Sequence, residues 1–420
     1  LGVIDRKGYV DYYLIVHDFI RQAKEMGIPI FERAEAWGAI MTYYRNALCI
    51  SGTHGKTTVT SMITQILLIN KQNPNAVIGG KLPMANSSCV VGESETLVCE
   101  SCEFVDSFLQ FSPDITVLLN VDDDHMDYFK TFDNIKNAFI RYVALLPKNG
   151  FLVLNADDEN CLDLRNHSDA KAVTYGIKNP YANFKAKSIT FDKNGFPKFD
   201  VFKDSQFYLN IELSVSGLHN VLNSLACIGI CDFYNIDKQF IKSGLKNFTG
   251  ASRRLEYKGS FNEISVFDDY AHHPTEITAI AEAIKNKEYN SSWVIFQPHT
   301  YSRTKLLLDE LIELDIKCEF GTVYEKAVIE EILKRDIKNL HYAPRSIFPN
   351  NAIISTLIEN ENIVDIDTNY LNGPVAKTIP RPLLFFWTLL IFNIISSHFL
   401  EPLEVIPFTL TILVSIVKFL

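Results

Sequence analysis

The sequence predicts an α/β protein: a central, P-loop-type, mostly parallel sheet with a small antiparallel portion, followed by a partial second α/β domain. Three observations carry this. Short apolar runs, NALCI at 46–50, ETLVCES at 95–101, ITVLLNV at 115–121, GFLVLN at 150–155 and AVTYG at 172–176, recur with helical stretches between them. That is the pattern of strands covered on both faces by crossover helices. Residues 181–216 instead alternate in period two around a DKNG turn, which reads as antiparallel sheet. After a boundary near Ser252, strand–loop–helix order returns at 263–286 and again at 291–311.

Taken in order, residues 13–26 carry helical spacing, GIPIF leads into a short strand at 28–31, and 32–44 is a second helix. The strand at 46–50 is followed by a glycine turn and a helix at 57–70; further helices are expected at 132–147, which stops at PKNG, and at 217–234. Helical character resumes after Lys326 without chemistry of its own. The expected organisation is a remnant of an N-terminal domain and linker at 1–44, a central domain at 45–251, a partial C-terminal domain at 252–345, a linker at 346–381 and an apolar tail at 382–420.

With 420 residues and 47% apolar content the chain can bury packed cores, and a net charge of −10 without a basic stripe argues against a nucleic-acid partner. Eight irregularly spaced cysteines read as reduced intracellular thiols, and the lone CxxC of Cys99 and Cys102 lacks a second pair for zinc. The runs 382–400 and 403–420 approach membrane-span length, the second interrupted by Pro407. They read as a membrane hairpin or an artefact of the tail. Leu1 in place of methionine suggests a fragment boundary.

Three constellations carry chemistry. The first is GTHGKTT at 52–58. It is shorter than the usual P-loop, with Ile50 where that pattern asks for glycine. Gly52 and Gly55 allow a tight turn that exposes the amides of Thr53 and His54; Lys56 supplies a point charge; Thr57, beside Thr58 at the helix start, can ligate Mg²⁺. The bland alternative is a glycine turn beside a surface lysine, and the flanking strand and helix favour the phosphate loop. The second is acidic: Glu100 and Glu103 at one strand end, and VDDDHMDY at 121–128 with His125 at another, where a nucleotide-bound cation finds oxygen ligands. Either group alone also fits a solvated loop cap. The third is FDDYAHHPTE at 267–276, holding Asp269, His272 and His273, mirrored by QPHTYSR at 297–303 with His299 and Arg303. Its spacing offers no closed four-ligand zinc site, and Arg303 suits phosphate or carboxylate. Loop histidines at a helix entry are the alternative.

GTHGKTT, NVDDDHMDYF at 120–129, GLHNVLNSLA at 217–226, SRRLEYKG at 252–259, DDYAHHPTE at 268–276 and FQPHTYSRT at 296–304, in that order, resemble the Mur ligase family of bacterial cell-wall synthesis. The likeness runs from about Gly27 to Leu311. It implies three domains and an ATP-dependent joining of an amino acid to a nucleotide-linked muramyl carboxylate through an acyl phosphate. DDYAHHPTE and QPHTYSR point to the branch whose substrates are UDP-N-acetylmuramate and L-alanine. By resemblance, Lys56 holds the transferred phosphoryl group, Thr57 and Glu100 hold one Mg²⁺ and His125 a second. His219, Asn220 and Asn223 match a nucleotide-pocket motif, and Arg253 and Arg254 a basic pair at the domain junction. Asp269, His272, His273, His299 and Arg303 come from the closing domain towards ATP and the amino acid.

Departures from the family pattern are Cys102, where many members carry aspartate, and a poor VYEK remnant at 323–326. The sugar-nucleotide domain is expected to be represented only near GIPIFERAEAWG. The expectation is therefore a cytoplasmic ATP- and Mg²⁺-dependent ligase. The alternatives are a truncated nucleotide-binding protein without turnover, or a protein tethered to the membrane through 382–420.

Overall fold

A computed structural model describes residues 9–261, 264–287 and 289. The expected second strand–loop–helix at 291–311, the helical stretch after Lys326 and the apolar runs at 382–420 lie outside them. The chain divides into two units, one holding residues up to Trp37 and one beginning at Gly38. In the first, α1 (Val10–Glu25) carries Arg21 paired with Asp18 at 2.5 Å and Glu25 at 2.6 Å. The strand expected at 28–31 is not formed. Pro29 removes one backbone donor, and a strand exists only where a neighbour accepts its ladder.

α2 (Arg33–Met41) leads into the second unit. There β1 (Asn46–Ser51), buried from Ala47 onward, passes through the glycine turn into α3 (Lys56–Ile69). Next come β2 (Asn75–Leu82), β3 (Ser87–Val90) and β4 (Thr96–Ser101), a 3₁₀ turn at Phe104–Gln110 and β5 (Ile115–Leu118). The short α4 (Met126–Phe129) precedes α5 (Phe132–Val143), whose Thr131 side chain accepts the Asn134 N–H as an N-cap. β6 (Phe151–Asn155), α6 (Glu159–Asp163) and β7 (Lys171–Gly176) follow. The expected antiparallel segment is the meander β8 (Phe184–Phe191), β9 (Pro197–Lys203) and β10 (Gln206–Glu212). α7 (Leu218–Phe233) and α8 (Lys238–Lys246) close this part. Beyond it, β11 (Glu256–Phe261) pairs antiparallel with β12 (Ile264–Asp268), and α9 (Pro274–Lys285) follows.

The ten-stranded sheet has the order β10-β9-β8-β7-β6-β5-β1-β4-β2-β3. All pairs from β2 through β8 are parallel; β3 and the β9–β10 side are antiparallel edges. Chain direction across the sheet reverses at β1, with β4 on one side and β5 on the other. Such a switch point opens a crevice at the carboxyl ends of the strands. The register puts Ser51 beside both Ser101 and Leu118. The three loops that leave β1, β4 and β5 therefore emerge side by side, and these are the glycine turn, the CEF segment and the NVDDDH segment.

α3 is buried from Thr57 to Leu67 because the sheet covers one side and α7 and α8 the other. Its Ile66 sits where a Cβ on Gly244 of α8 would lie, 2.6 Å from Ile66 Cγ1. The helix that follows the glycine turn is thus clamped in the core built from Leu48, Ile50, Val59, Ile63, Val117 and Leu225.

Candidate active site

The loop between β1 and α3 is shaped by what lies against it. Gly52, at φ +130°, has the Asn120 backbone 3.0 Å from where a Cβ would stand. Gly55, at φ +88°, has Asn223 Oδ1 at 2.9 Å. Both positions need glycine for its backbone and for its missing side chain. The Thr53 N–H donates to Asn120 O at 3.2 Å and the His54 N–H to Asn120 Oδ1 at 2.7 Å, while Asn120 Nδ2 donates back to His54 O at 3.0 Å. The loop is therefore held by the exit of β5 and by α7, and the first turn of α3 directs its amides towards it.

Lys56 is part-buried and donates to the carbonyls of Gly52 and Thr53 and, at 3.1 Å, to Glu103 Oε2. Burial by itself lowers the Lys56 ammonium, but Glu103 outweighs it and holds the pKa above the ordinary value. Thr57 Oγ1 donates to Glu100 Oε2 at 3.1 Å, and the Gly79 N–H donates to the other Glu100 oxygen. Burial raises the Glu100 carboxyl, partly offset by Gly79, Thr57 and Lys56. Glu103 Oε1 is buried without a hydrogen-bond partner. A hydroxyl, the half-buried Glu100 and the buried Glu103 beside the glycine turn are hard oxygen donors of the kind that fit Mg²⁺. Cys102, in place of the family's aspartate, is a thiol raised by burial and by Glu103, hence neutral at neutral pH.

A second network faces this loop from α9. His54 Nε2 lies 3.2 Å from Asp122 Oδ2 and its Nδ1 lies 3.3 Å from Glu276 Oε1. Burial opposes its charge, but the two carboxylates outweigh this and raise His54 to about 9. In turn His54 holds the Asp122 and Glu276 carboxyls well below the usual range against their own burial. Thr275 Oγ1 donates to Asp122 Oδ2 at 2.8 Å, and the His272 N–H donates to Glu276 Oε2 at 3.1 Å. Arg254 lies 3.7 Å from Glu276. His273 caps α9 by accepting the Thr275 N–H and packs against His54 with ring centroids 4.9 Å apart.

His54, Lys56, Thr57, Glu100, Arg254, His272 and His273 are thus drawn into one region, with Glu103, Asp122 and Glu276 as links. His219 is half-buried in the first turn of α7, and desolvation together with Arg254 lowers it to about 4. Asn220 Nδ2 donates to Ser216 O at 2.7 Å, Asn223 Nδ2 to Asn220 Oδ1 at 3.1 Å, and Thr58 is buried within α3. His125, at φ +56°, stacks against Phe104 at 4.7 Å beside Asp124. The Asp269 carboxylate accepts the N–H groups of Leu255 at 2.6 Å and Ala271 at 2.7 Å, tying two loops together, and burial raises it. Arg253, at φ +58°, accepts the Tyr270 N–H on its carbonyl. His299 and Arg303 lie outside the described residues. Sequence reasoning singled out neither Asn120, Thr275 nor Glu276, and took Asp122 only as part of the acidic run at 121–128. Glu276 stands three residues after the cap His273, where a glutamate reads as an ordinary first-turn acid.

The family model described as Mur ligase middle domain matches residues 50–231, and the one described as Mur ligase, glutamate ligase domain matches 253–337. The UDP-N-acetylmuramate–L-alanine ligase of Clostridium acetobutylicum is 42% identical over 335 residues, 76% of this chain and 73% of that protein. That of Acetivibrio thermocellus is 45% identical over 291 residues, 69% of this chain and 62% of that protein. The crystal structure of the UDP-N-acetylmuramate–alanine ligase of Thermotoga maritima matches with a TM-score of 0.60 at 28% identity, covering 70% of this chain and 71% of that one. The chain belongs to the Mur ligase family. Residues 1–57 match a further model, described as Bacterial DNA polymerase III alpha NTPase domain, and neither Mur model reaches residues 1–49.

Proposed function

We propose that this chain joins L-alanine to UDP-N-acetylmuramate at the expense of ATP, through an acyl phosphate, in peptidoglycan synthesis in the cytoplasm. The observation that carries the reading is the Thr57–Glu100 pair beside the Lys56–Glu103 pair at the mouth of the switch-point loop. The names of the relatives in Clostridium and Acetivibrio support the substrates. Phosphoryl transfer is mostly positioning and charge stabilisation. Here the loop amides and the α3 N-terminus receive the triphosphate, and Lys56 follows the transferred group as its charge grows. Thr57 and Glu100, with His125 as the candidate ligand of a second ion, would hold Mg²⁺. When bound there, such an ion would supply charge neutralisation at the phosphate oxygens and lessen the repulsion of the anionic acceptor. Asn220, Asn223, His219 and Arg254 line the nucleotide side. Asp269, Arg253, His272, His273, His299 and Arg303 are assigned to substrate contact from the closing domain.

The test is ATP-dependent formation of the L-alanyl product from UDP-N-acetylmuramate and L-alanine, with Lys56→Ala as control. Product that depends on both substrates and is lost in Lys56→Ala supports the reading; wild-type rates in Lys56→Ala sink it. A second reading, nucleotide binding without turnover, is favoured by the match of residues 1–57 to a model outside the Mur family. It predicts that Mg²⁺–ATP binds while UDP-N-acetylmuramate does not. Among the described residues, no helix is long and apolar enough to cross a membrane.

A further inference from the structure

We propose that Phe104 is a positioning residue: it fixes the ring of His125, and a strained left-handed step in the chain after it holds Phe104 in place. The purpose of that placement rests on the ligase reading above, in which His125 is the candidate ligand of a second ion. Phe104 follows Glu103 in the loop that leaves β4, and His125 stands at the N-cap of α4 in the loop that leaves β5. The two rings meet across the switch point with centroids 4.7 Å apart and planes inclined by 36°. Tyr128 of α4 meets the same Phe104 ring edge-on, with centroids 6.2 Å apart. One face of the His125 imidazole is therefore covered, and the ring cannot turn without displacing Phe104.

The backbone after Phe104 shows that this placement is enforced. Val105 stands at φ +51° and Asp106 at φ +56°. Two successive left-handed residues are costly, most of all where one is β-branched. Phe104 is 38% and Val105 49% exposed, so their own burial offsets little of that cost. The offset comes from the neighbours. Asp106 Oδ2 accepts the Tyr128 hydroxyl at 3.0 Å and lies 3.6 Å from Arg141 of α5. The Asp106 N–H donates to Glu103 O at 3.0 Å, and Ser107 Oγ donates to Phe104 O at 2.6 Å. Further on, Phe108 is fully buried and stacked on Tyr142 with centroids 4.4 Å apart, and its N–H donates to Cys102 O at 3.2 Å. The turn after Glu103 is thus bolted to α4 and α5, and it sets a phenylalanine beside His125 instead of in the core. Strain of this kind persists where neighbours over-determine the chain, and it gathers at functional sites. An imidazole already held in one orientation has less freedom to lose when it takes a ligand.

The test uses the full chain with isotope-labelled histidine rings, the His125 signals being assigned by NMR from His125→Gln. The ring current of Phe104 should displace those signals in the wild-type protein. Phe104→Leu should abolish the displacement and Phe104→Tyr should keep it. Val105→Gly accepts a positive φ without a Cβ, so it should also keep the displacement, with a urea midpoint no lower than wild type. In the ligation assay Phe104→Leu should lower kcat roughly tenfold while calorimetric Mg²⁺–ATP affinity stays within about twofold of wild type. Phe104→Tyr should recover most of the rate. Circular dichroism checks that each variant folds. If the wild-type protein forms no product, the ligase reading fails, and the His125 signals alone decide the placement. Signals that are the same in wild type and Phe104→Leu would overturn it. So would a wild-type kcat in Phe104→Leu, a Phe104→Tyr protein as slow as Phe104→Leu, or losses of kcat and of Mg²⁺–ATP affinity that match. A lowered midpoint in Val105→Gly would overturn the strain that holds Phe104.

Discussion

Lys56 directs its ammonium hydrogens at two loop carbonyls and at Glu103, a carboxylate with a side chain only 2% exposed. On the proposed function, a nucleotide phosphate would enter a site whose cation is already paired, and Lys56 would turn part of its bonding from Glu103 to the phosphate. Removing one partner of a buried pair leaves the other charge stranded. Lys56→Ala is accordingly expected to abolish turnover and also to cost about 3 kcal/mol of stability, read by urea unfolding. Adding Glu103→Gln should restore most of that stability and none of the activity. If the double variant were no more stable than Lys56→Ala, the pairing would not be the cause. His54 is the second such residue. Glu276→Gln removes one of its two carboxylates, and its imidazole pKa should fall from about 9 to below about 8, followed by NMR of the ring. Sequence spacing picked out Lys56 and Thr57 as candidates from the strand–glycine turn–helix order, and Glu100 from its place at a strand end, and the fold brings the three together. It could not show that Glu276 and Asp122 meet His54, because those contacts close over 222 and 68 residues of chain.

At the scale of elements, the buried parallel strands were readable as apolar runs, and β1, β4, β5, β6 and β7 all form close to where those runs lie. β2 and β3 were not. Gly79 and Gly80 dilute β2, and β3 is a four-residue edge strand with a mostly accessible pattern. The short α8 was also hidden, with Gly244 weakening its helical signal. Yet the glycine that blurs β2 is required by the site. A Cβ on Gly79 would stand 2.8 Å from both Glu100 carboxylate oxygens and 3.0 Å from Thr57 Oγ1. Its φ is not in the left-handed region, so the demand is for space alone. Gly79→Ala should push Glu100 away from Thr57 and weaken Mg²⁺–ATP binding by roughly tenfold, with an unchanged circular dichroism spectrum. Calorimetric titration of ATP with and without Mg²⁺ checks it. Equal losses in the two titrations would mean that the substitution harms the loop and not the cation position.

For the second unit as a whole, the same charges set a pH profile of stability. His54 is raised to about 9 from its ordinary 6.5, so its contribution is complete below 6.5 and drains away as pH climbs towards 9. His219, lowered to about 4, and His273, also lowered, behave in the opposite sense: they favour the fold above 6.5 and weaken it as acid protonates the unfolded chain. The lowered Asp122 and Glu276 carboxyls extend this acid loss below their ordinary range near 4. The groups facing His54 are Asp122, Glu276, His273 and, through Glu276, Arg254. Between pH 6.5 and about 8, the native state keeps the His54 proton that the unfolded chain gives up, and this outweighs the smaller opposing gain as His219 and His273 lose their unfolded-state protons. Stability should fall by about 1 kcal/mol over that interval. His54→Gln should flatten this alkaline limb while leaving the acid limb, which belongs to His219 and the carboxyls. Denaturant midpoints taken every half unit across the interval read the slope directly. A His54→Gln protein that kept the wild-type slope would show that the histidine is not the group holding the proton, and with it the tie between α9 and the phosphate loop would lose its charge.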